Sequence, residues 1–157
     1  MSVYFDQFGE NHQLEAGSVR RERKGVFALC LAKGHVLLSW PRWAPDLPEF
    51  PGGGIDPGET KAQALKREVF EEASVMMPDI EPSEEFTQNI QYYCSAVNEF
   101  WDYEQTYWLF DNPILEECFF EGQNEPEDAL KAQWVPLESL KTMNIHASHK
   151  LACEELL

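Results

Sequence analysis

The run Phe50–Val75, FPGGGIDPGETKAQALKREVFEEASV, constrains this chain more than any other stretch. A glycine-dense loop at Pro51–Gly54 leads through the turn Asp56-Pro57-Gly58 into a predicted helix carrying Glu68, Glu71 and Glu72. Thr60 is placed to cap that helix, and Gln63 completes a capping box. At about 100° per residue, the three glutamates share an arc of about 100°. Ala62, Leu65, Val69 and Ala73 occupy the neighbouring arc and are expected to pack on a sheet. The carboxylates therefore stand beside the buried stripe, not opposite it.

That placement has a cost. Glu68 and Glu72 are like-charged at i,i+4, a repulsion of about 0.2–0.5 kcal/mol, and Glu71 adds to it. Arg67 offsets part of this by pairing with Glu71. A hard divalent cation offsets far more, because Mg²⁺ takes oxygen ligands, usually one or two carboxylates plus substrate phosphates. Glycines ahead of such a helix (Gly52, Gly53, Gly54) let backbone groups approach a metal or phosphate closely. Taken alone, the three acids are equally a solvated acidic face.

The wider pattern is Gly53-x5-Glu59-x7-Arg67-Glu68-Val69-x-Glu71-Glu72-x-Ser74-Val75. It resembles the Nudix box, the signature of the Nudix hydrolases, and departs from it only where Ser74 replaces a glycine. A serine in the left-handed conformation that suits that glycine costs about 1 kcal/mol. No proposed ligand is lost.

The order of predicted elements gives an α/β or α+β fold. The resemblance narrows this to α/β, a Nudix-type α/β/α sandwich with a mixed β-sheet. It also implies a metal-dependent pyrophosphohydrolase acting on phosphoric anhydride bonds. Its substrate would be a nucleoside diphosphate linked to another moiety, of the nucleoside triphosphate or dinucleoside polyphosphate class. By resemblance, Glu68 and Glu72 are the principal Mg²⁺ ligands, with Mn²⁺ suited to the same oxygens. Glu71 either binds metal or shares the role of base, and the carbonyl of Gly52 or Gly53 completes the coordination. Glu59 would order the loop or the metal's waters, and Arg67 would orient the carboxylates. Many members place an acid shortly before a strand tryptophan, here Trp134; Glu125, Glu127 and Asp128 are the candidates, Glu127 and Asp128 foremost. A tyrosine at the offset of Tyr92 or Tyr93 accompanies dinucleoside polyphosphate hydrolysis in the family, although tyrosines in an aromatic strand also serve as core. A nucleotide-sensing module with a decayed box is the alternative, resting on Ser74 alone.

With 157 residues, 43% hydrophobic and 13% aromatic, the chain reads as one folded domain, 1–157. No apolar run is long enough to span a bilayer, and the polar N-terminus lacks a signal-peptide layout, so a cytoplasmic location without a membrane partner is expected. Cys30, Cys94, Cys118 and Cys153 form no CxxC pair and read as reduced thiols. The net charge of −16 repels nucleic-acid backbones, so no nucleic-acid partner is expected and RNA decapping is disfavoured. A small polyphosphate would arrive with cations. A homodimer is compatible with the family, though no residue demands one.

Strands are predicted at Lys24–Ala32 and His35–Trp40 around a Lys33-Gly34 turn, then at Phe86–Val97, Gln105–Phe110 and Lys131–Val135. Residues 1–22 read as an irregular segment or an edge strand. Pro136–Met143 and Ser148–Leu157 read as short helices. In the loop Pro41–Glu49, Arg42 is the cation best placed for a substrate phosphate, and Trp43 either stacks on a base or packs on the surface. Arg20, Arg21, Arg23 and Lys24 read as a solvated strand end rather than a phosphate site. His146 and His149 have no partner spacing and are expected on the surface.

Overall fold

The second half of strand β3 (Val19–Ala32) is apolar on both faces. Val26, Ala28 and Cys30 enter one hydrophobic cluster, Phe27 and Leu29 another, as a period of two requires. Such a strand needs cover on both sides. Helix α1 (Lys61–Ala73) covers one face through Ala64, Leu65, Val69 and Ala73. Ala152 of helix α2 (Lys150–Leu156) belongs to the cluster on the other.

The computed structural model describes residues 2–119 and 123–157. Around β3 run β1 (Val3–Phe5), β2 (Asn11–Gln13), β4 (His35–Pro41), β5 (Gly52–Gly54), β6 (Glu84–Cys94), β7 (Glu99–Phe110), β8 (Gln123–Asn124) and β9 (Ala129–Pro136). They form one sheet in the order β2-β1-β6-β7-β3-β4-β9-β8, with β5 added beside β3. The β3–β7 and β1–β6 pairs are parallel and the others antiparallel, so the sheet is mixed. This is the α/β/α architecture expected.

The Lys33-Gly34 turn has both residues at positive φ (50° and 71°), as a tight hairpin turn demands. Yet β3 and β4 pair only at Leu31↔Val36 and Ala32↔His35 before separating. The segment 49–54 fills the gap. Ser39 and Glu49 exchange both backbone hydrogen bonds at 2.9 Å, Ala28 N–H donates to Pro51 O at 2.8 Å, and Gly52–Gly54 pairs with Phe27, Val26 and Gly25. The predicted glycine loop is thus a strand inserted into the sheet.

Several boundaries differ from the sequence reading. β3 begins at Val19, because its charged first half pairs with β7, where Arg20 meets Asp102 at 2.7 Å and Arg21 meets Glu99 at 3.0 Å. On α1, Ala62 is exposed and Ala64 is buried in its place. The helix expected after Pro136 is a 3₁₀ turn, Leu137–Lys141. Thr60 and Gln63 form the full capping box, and Ser74 adopts the left-handed conformation (φ 56°, ψ 30°) while its N–H donates to Phe70 O at 2.9 Å.

The two histidines overturn the surface expectation. His146 and His149 are 6% and 1% exposed. Their segment is pinned inward by His146 N–H donating to Pro48 O at 2.9 Å and Ala147 N–H donating to Gln7 O at 2.8 Å. All four cysteines are free. Among the described residues, no helix is long and apolar enough to cross a membrane.

Candidate active site

Helix α1, the glycine strand β5 and the residue preceding Phe50 together create an acidic cavity. It has a volume of about 270 Å³ and is lined on its acidic side by Glu49, Glu68, Glu72 and Gly52–Gly54. Glu68 lies so close to the backbone that a Cβ on Gly53 would stand 2.9 Å from its carboxylate carbon. A Cβ on Gly52, at φ 153°, would collide with Val26 O at 2.2 Å and Phe27 Cα at 2.6 Å. Glycine at these two positions lets the helix and β3 close onto β5.

The electrostatics follow from that crowding. Burial, then the charge of Glu68, push the Glu49 carboxyl up to about 8. Burial, then Glu49 and Glu68, hold Glu72 well above the ordinary carboxylate range, although Ser39 Oγ donates to it at 3.3 Å. Glu71 is raised by burial and by Glu68. The uncompensated partners are therefore acids facing acids.

Arg67 is the cation inside this cluster. It donates to Glu59 through Nε (2.9 Å) and Nη2 (2.8 Å), to Glu68 and Glu71 through Nη1 (2.9 and 3.3 Å), and to Gly54 O at 3.1 Å. Glu59 also accepts from the Asp56 amide at 2.8 Å, and it is held down at about 2 by Arg67 and that amide. Glu59 is thus tied into the loop and Arg67 orients Glu68 and Glu71.

The remaining predicted residues divide. Trp43 and Tyr92 line the cavity, and Tyr92 is hydrogen-bonded to His146 Nε2 at 3.0 Å. Arg42 is exposed and outside the cavity lining. Asp128 N–H donates to Glu71 O at 2.9 Å, and its charge raises the Glu71 carboxyl; Glu127 is exposed beside it. Sequence reasoning missed Glu49, whose only signal was an acid three residues before the glycine run. It also set aside Arg23, which lines the cavity with its guanidinium 4.8 Å from the Trp101 ring centroid.

Three carboxylates beside the glycine strand supply the kind of oxygen donors that a hard divalent cation takes. Among the described residues, no three acidic, histidine or cysteine side chains already close on one point. The residues fit an ion in chemistry, and the repulsion among Glu49, Glu68 and Glu72 is what it would relieve.

A mixed sheet split by a glycine strand, with a glutamate-bearing helix across the split, defines the class. Residues 19–154 match the family model described as the NUDIX domain, and the chain belongs to that family, the Nudix hydrolases. Its structure is similar to a MutT NUDIX hydrolase from Burkholderia pseudomallei, at a TM-score of 0.60 and 20% identity, over 87% of this chain and 98% of that one. The dihydroneopterin triphosphate pyrophosphohydrolase of E. coli superposes at 0.55 and 19% identity, over 88% and 97%. In sequence, the chain is 36% identical over 92 residues to an 8-oxo-dGTP diphosphatase of Haemophilus influenzae, covering 55% of this chain and 62% of the relative. It is 43% identical over 52 residues to an RNA pyrophosphohydrolase of Serratia proteamaculans, covering 33% and 29%. The chain therefore spans less than two thirds of the length of either relative.

Proposed function

We propose that this protein hydrolyses a phosphoric anhydride bond in a small nucleotide, a nucleoside triphosphate or dinucleoside polyphosphate, and that it does so with a divalent cation. The observation that carries this reading is the convergence of Glu68 and Glu72, one turn apart on α1, with Glu49 in one cavity beside the glycine strand β5. Relatives named for pyrophosphate chemistry on different substrates support the reaction type more than any one substrate.

Glu68 and Glu72 would hold the ion, with Gly52 or Gly53 contributing a carbonyl and Glu71 and Asp128 flanking. When bound, Mg²⁺ or Mn²⁺ supplies charge compensation at the phosphate oxygens and polarises the phosphorus–oxygen bond. Arg67 fixes the carboxylate rotamers through its bonds to Glu68 and Glu71. Glu59 fixes Arg67 in turn. Glu49, half-buried among acids and poised to hold or release a proton, joins Glu71 as a candidate base. Arg23 supplies a cation for a phosphate at the cavity wall and Trp43 an aromatic face for the base. One domain carries the whole site, in the cytoplasm and without nucleic acid.

The test is a Mg²⁺-dependent phosphate-release screen over nucleotides, wild type beside Glu72→Gln. Turnover that collapses in the variant supports the hydrolase. Absence of turnover on every nucleotide with metal binding intact supports a sensing module instead.

A further inference from the structure

The cavity that holds the acids is also lined by His149, Ser148, His146 and Gln105, whose polar atoms belong to one buried network. The two hydrogens of Gln88 Nε2 go to Gln105 Oε1 at 2.9 Å and Ser148 O at 2.6 Å. Gln105 Nε2 donates to Ser148 Oγ at 3.2 Å. His146 Nδ1 accepts the Ser148 amide at 3.3 Å and lies 3.0 Å from the Ser148 hydroxyl. The Tyr107 hydroxyl has one proton and three acceptors in reach: Gln105 Oε1 at 2.9 Å, Ser148 O at 3.1 Å and His149 Nδ1 at 2.7 Å. The shortest contact is the third, and 2.7 Å is the usual length of a bond donated by a hydroxyl but short for one donated by a ring N–H, so we place the proton on the line to His149 Nδ1, which also lies 3.4 Å from Ser148 Oγ.

A neutral imidazole that accepts at Nδ1 carries its hydrogen on Nε2. Burial keeps His149 neutral. Its Nε2 is buried and has no hydrogen-bond partner among the described residues. Buried donors are normally satisfied, and one left over beside a cavity asks for a ligand atom. Phe27 and Phe50 pack against the His149 ring, and Trp43, Trp101 and Tyr103 line the same cavity. Such aromatic walls suit a flat heterocycle.

We propose that His149 Nε2–H is a specificity-determining donor, which receives an exocyclic carbonyl oxygen of the substrate's nucleobase. The proposal rests on the nucleotide-hydrolase reading for the phosphate end of the cavity and names the class of base at the other. Because Nε2 has almost no accessible surface, the aromatic walls must give way slightly for a base atom to reach it, and a carbonyl, which projects beyond the ring outline, needs less of that movement than a ring nitrogen. Bases with a carbonyl, such as guanine, uracil or cytosine, are selected over adenine, which has none. A site that pairs with a polar group rejects the analogue lacking it by up to roughly 10⁴-fold, because the donor is then left unpaired.

Two measurements on the full chain test this. Imidazole ¹⁵N NMR of the free protein is expected to show His149 protonated on Nε2 and bare on Nδ1; the opposite tautomer overturns the proposal. Binding of GMP, CMP, UMP and AMP is then measured with Mg²⁺ present. At least one carbonyl-bearing nucleotide is expected to bind about 10-fold or more tighter than AMP. His149→Phe is expected to bring it to the AMP level with AMP unchanged, and His149→Gln, which keeps an N–H, to restore part of the preference. Equal binding of AMP, no nucleotide binding, or equal loss for every base overturns it, as it would if a water satisfies Nε2. Phosphate release by wild type and Glu72→Gln is run alongside. Selective binding without turnover defeats the hydrolase reading alone, and turnover without base preference defeats only the role of His149.

Discussion

Arg67 holds Glu59 by two parallel hydrogen bonds, Nε to Oε2 at 2.9 Å and Nη2 to Oε1 at 2.8 Å, while its Nη1 reaches Glu68. Lysine cannot reproduce this, because an ammonium is a point charge without a planar fork. Arg67→Lys is expected to lower kcat by roughly 10²-fold, the scale of a small misplacement of catalytic groups. Steady-state kinetics on the best nucleotide checks it; an unchanged kcat would mean that Glu68 is positioned without Arg67. The same pair predicts a loss of stability in acid. Glu59 is held at about 2, below its ordinary 4.5, so its stabilising contribution is fully present above 4.5 and is lost progressively as pH falls from there to about 2. Carboxyl NMR titration of Glu59 reads this directly.

Gly52 and Gly53 of β5 are expected to fail differently. Gly52→Ala drives a methyl into the Val26 carbonyl, a backbone clash that side-chain movement cannot relieve. It should destabilise the fold by about 1–3 kcal/mol. Gly53→Ala presses instead on the Glu68 carboxylate, which can turn aside. Its melting temperature should change little while kcat falls, and thermal melts with kinetics separate the two.

Ser74→Gly should stabilise the protein by about 1 kcal/mol, since Ser74 sits at φ 56° where a side chain is strained. Chemical denaturation measures this. No change in KM is expected, because Ser74 lies at the helix exit, outside the cavity lining.

Without divalent cations, stability should fall as pH rises toward about 8. The folded protein keeps a proton on Glu49 up to about 8 that the unfolded chain releases near 4.5, so the native state loses its advantage across that window. His146 acts in the opposite sense: burial lowers it from 6.5 to about 4, so its penalty grows as pH falls below 6.5. The carboxyl effect therefore stands alone between about 6.5 and about 8. Excess Mg²⁺ should flatten the slope and raise the melting temperature, by about 2.7 kcal/mol of stability at a hundredfold excess over its dissociation constant. Calorimetry with and without Mg²⁺ at several pH values is the check; a slope indifferent to Mg²⁺ would count against the proposed ion site.

The helix of the site was legible because its signals are local. Thr60, Gln63 and the spacing of the three glutamates all lie within one short stretch, and so does the left-handed exit at Ser74. Glu49, Arg23 and His149 were not, because long-range pairing places them. Glu49 joins the acids only through its ladder with Ser39, and Arg23 only through its place on β3 opposite Tyr103. His149 is drawn in when the C-terminal segment bonds to Pro48 and Gln7, and nothing in its immediate neighbours marks that docking. The start of β3 was missed for the same reason: its arginines are the exposed strand residues expected, but that the strand runs back to Val19 shows only when the acids of β7 are set beside them.

The insertion of residues 49–54 between β3 and β4 also sets how the site can move. Its backbone is bonded to β3 through Ala28 and to β4 through Ser39, so the centre cannot breathe unless the sheet itself parts. The amide hydrogens of Ala28, Ser39 and Glu49 should then exchange with solvent as slowly as those of the surrounding core. Arg42, Trp43, Pro45 and Asp46 stand exposed on the loop between β4 and that insert, so they can be changed to suit another substrate while the acids keep their places.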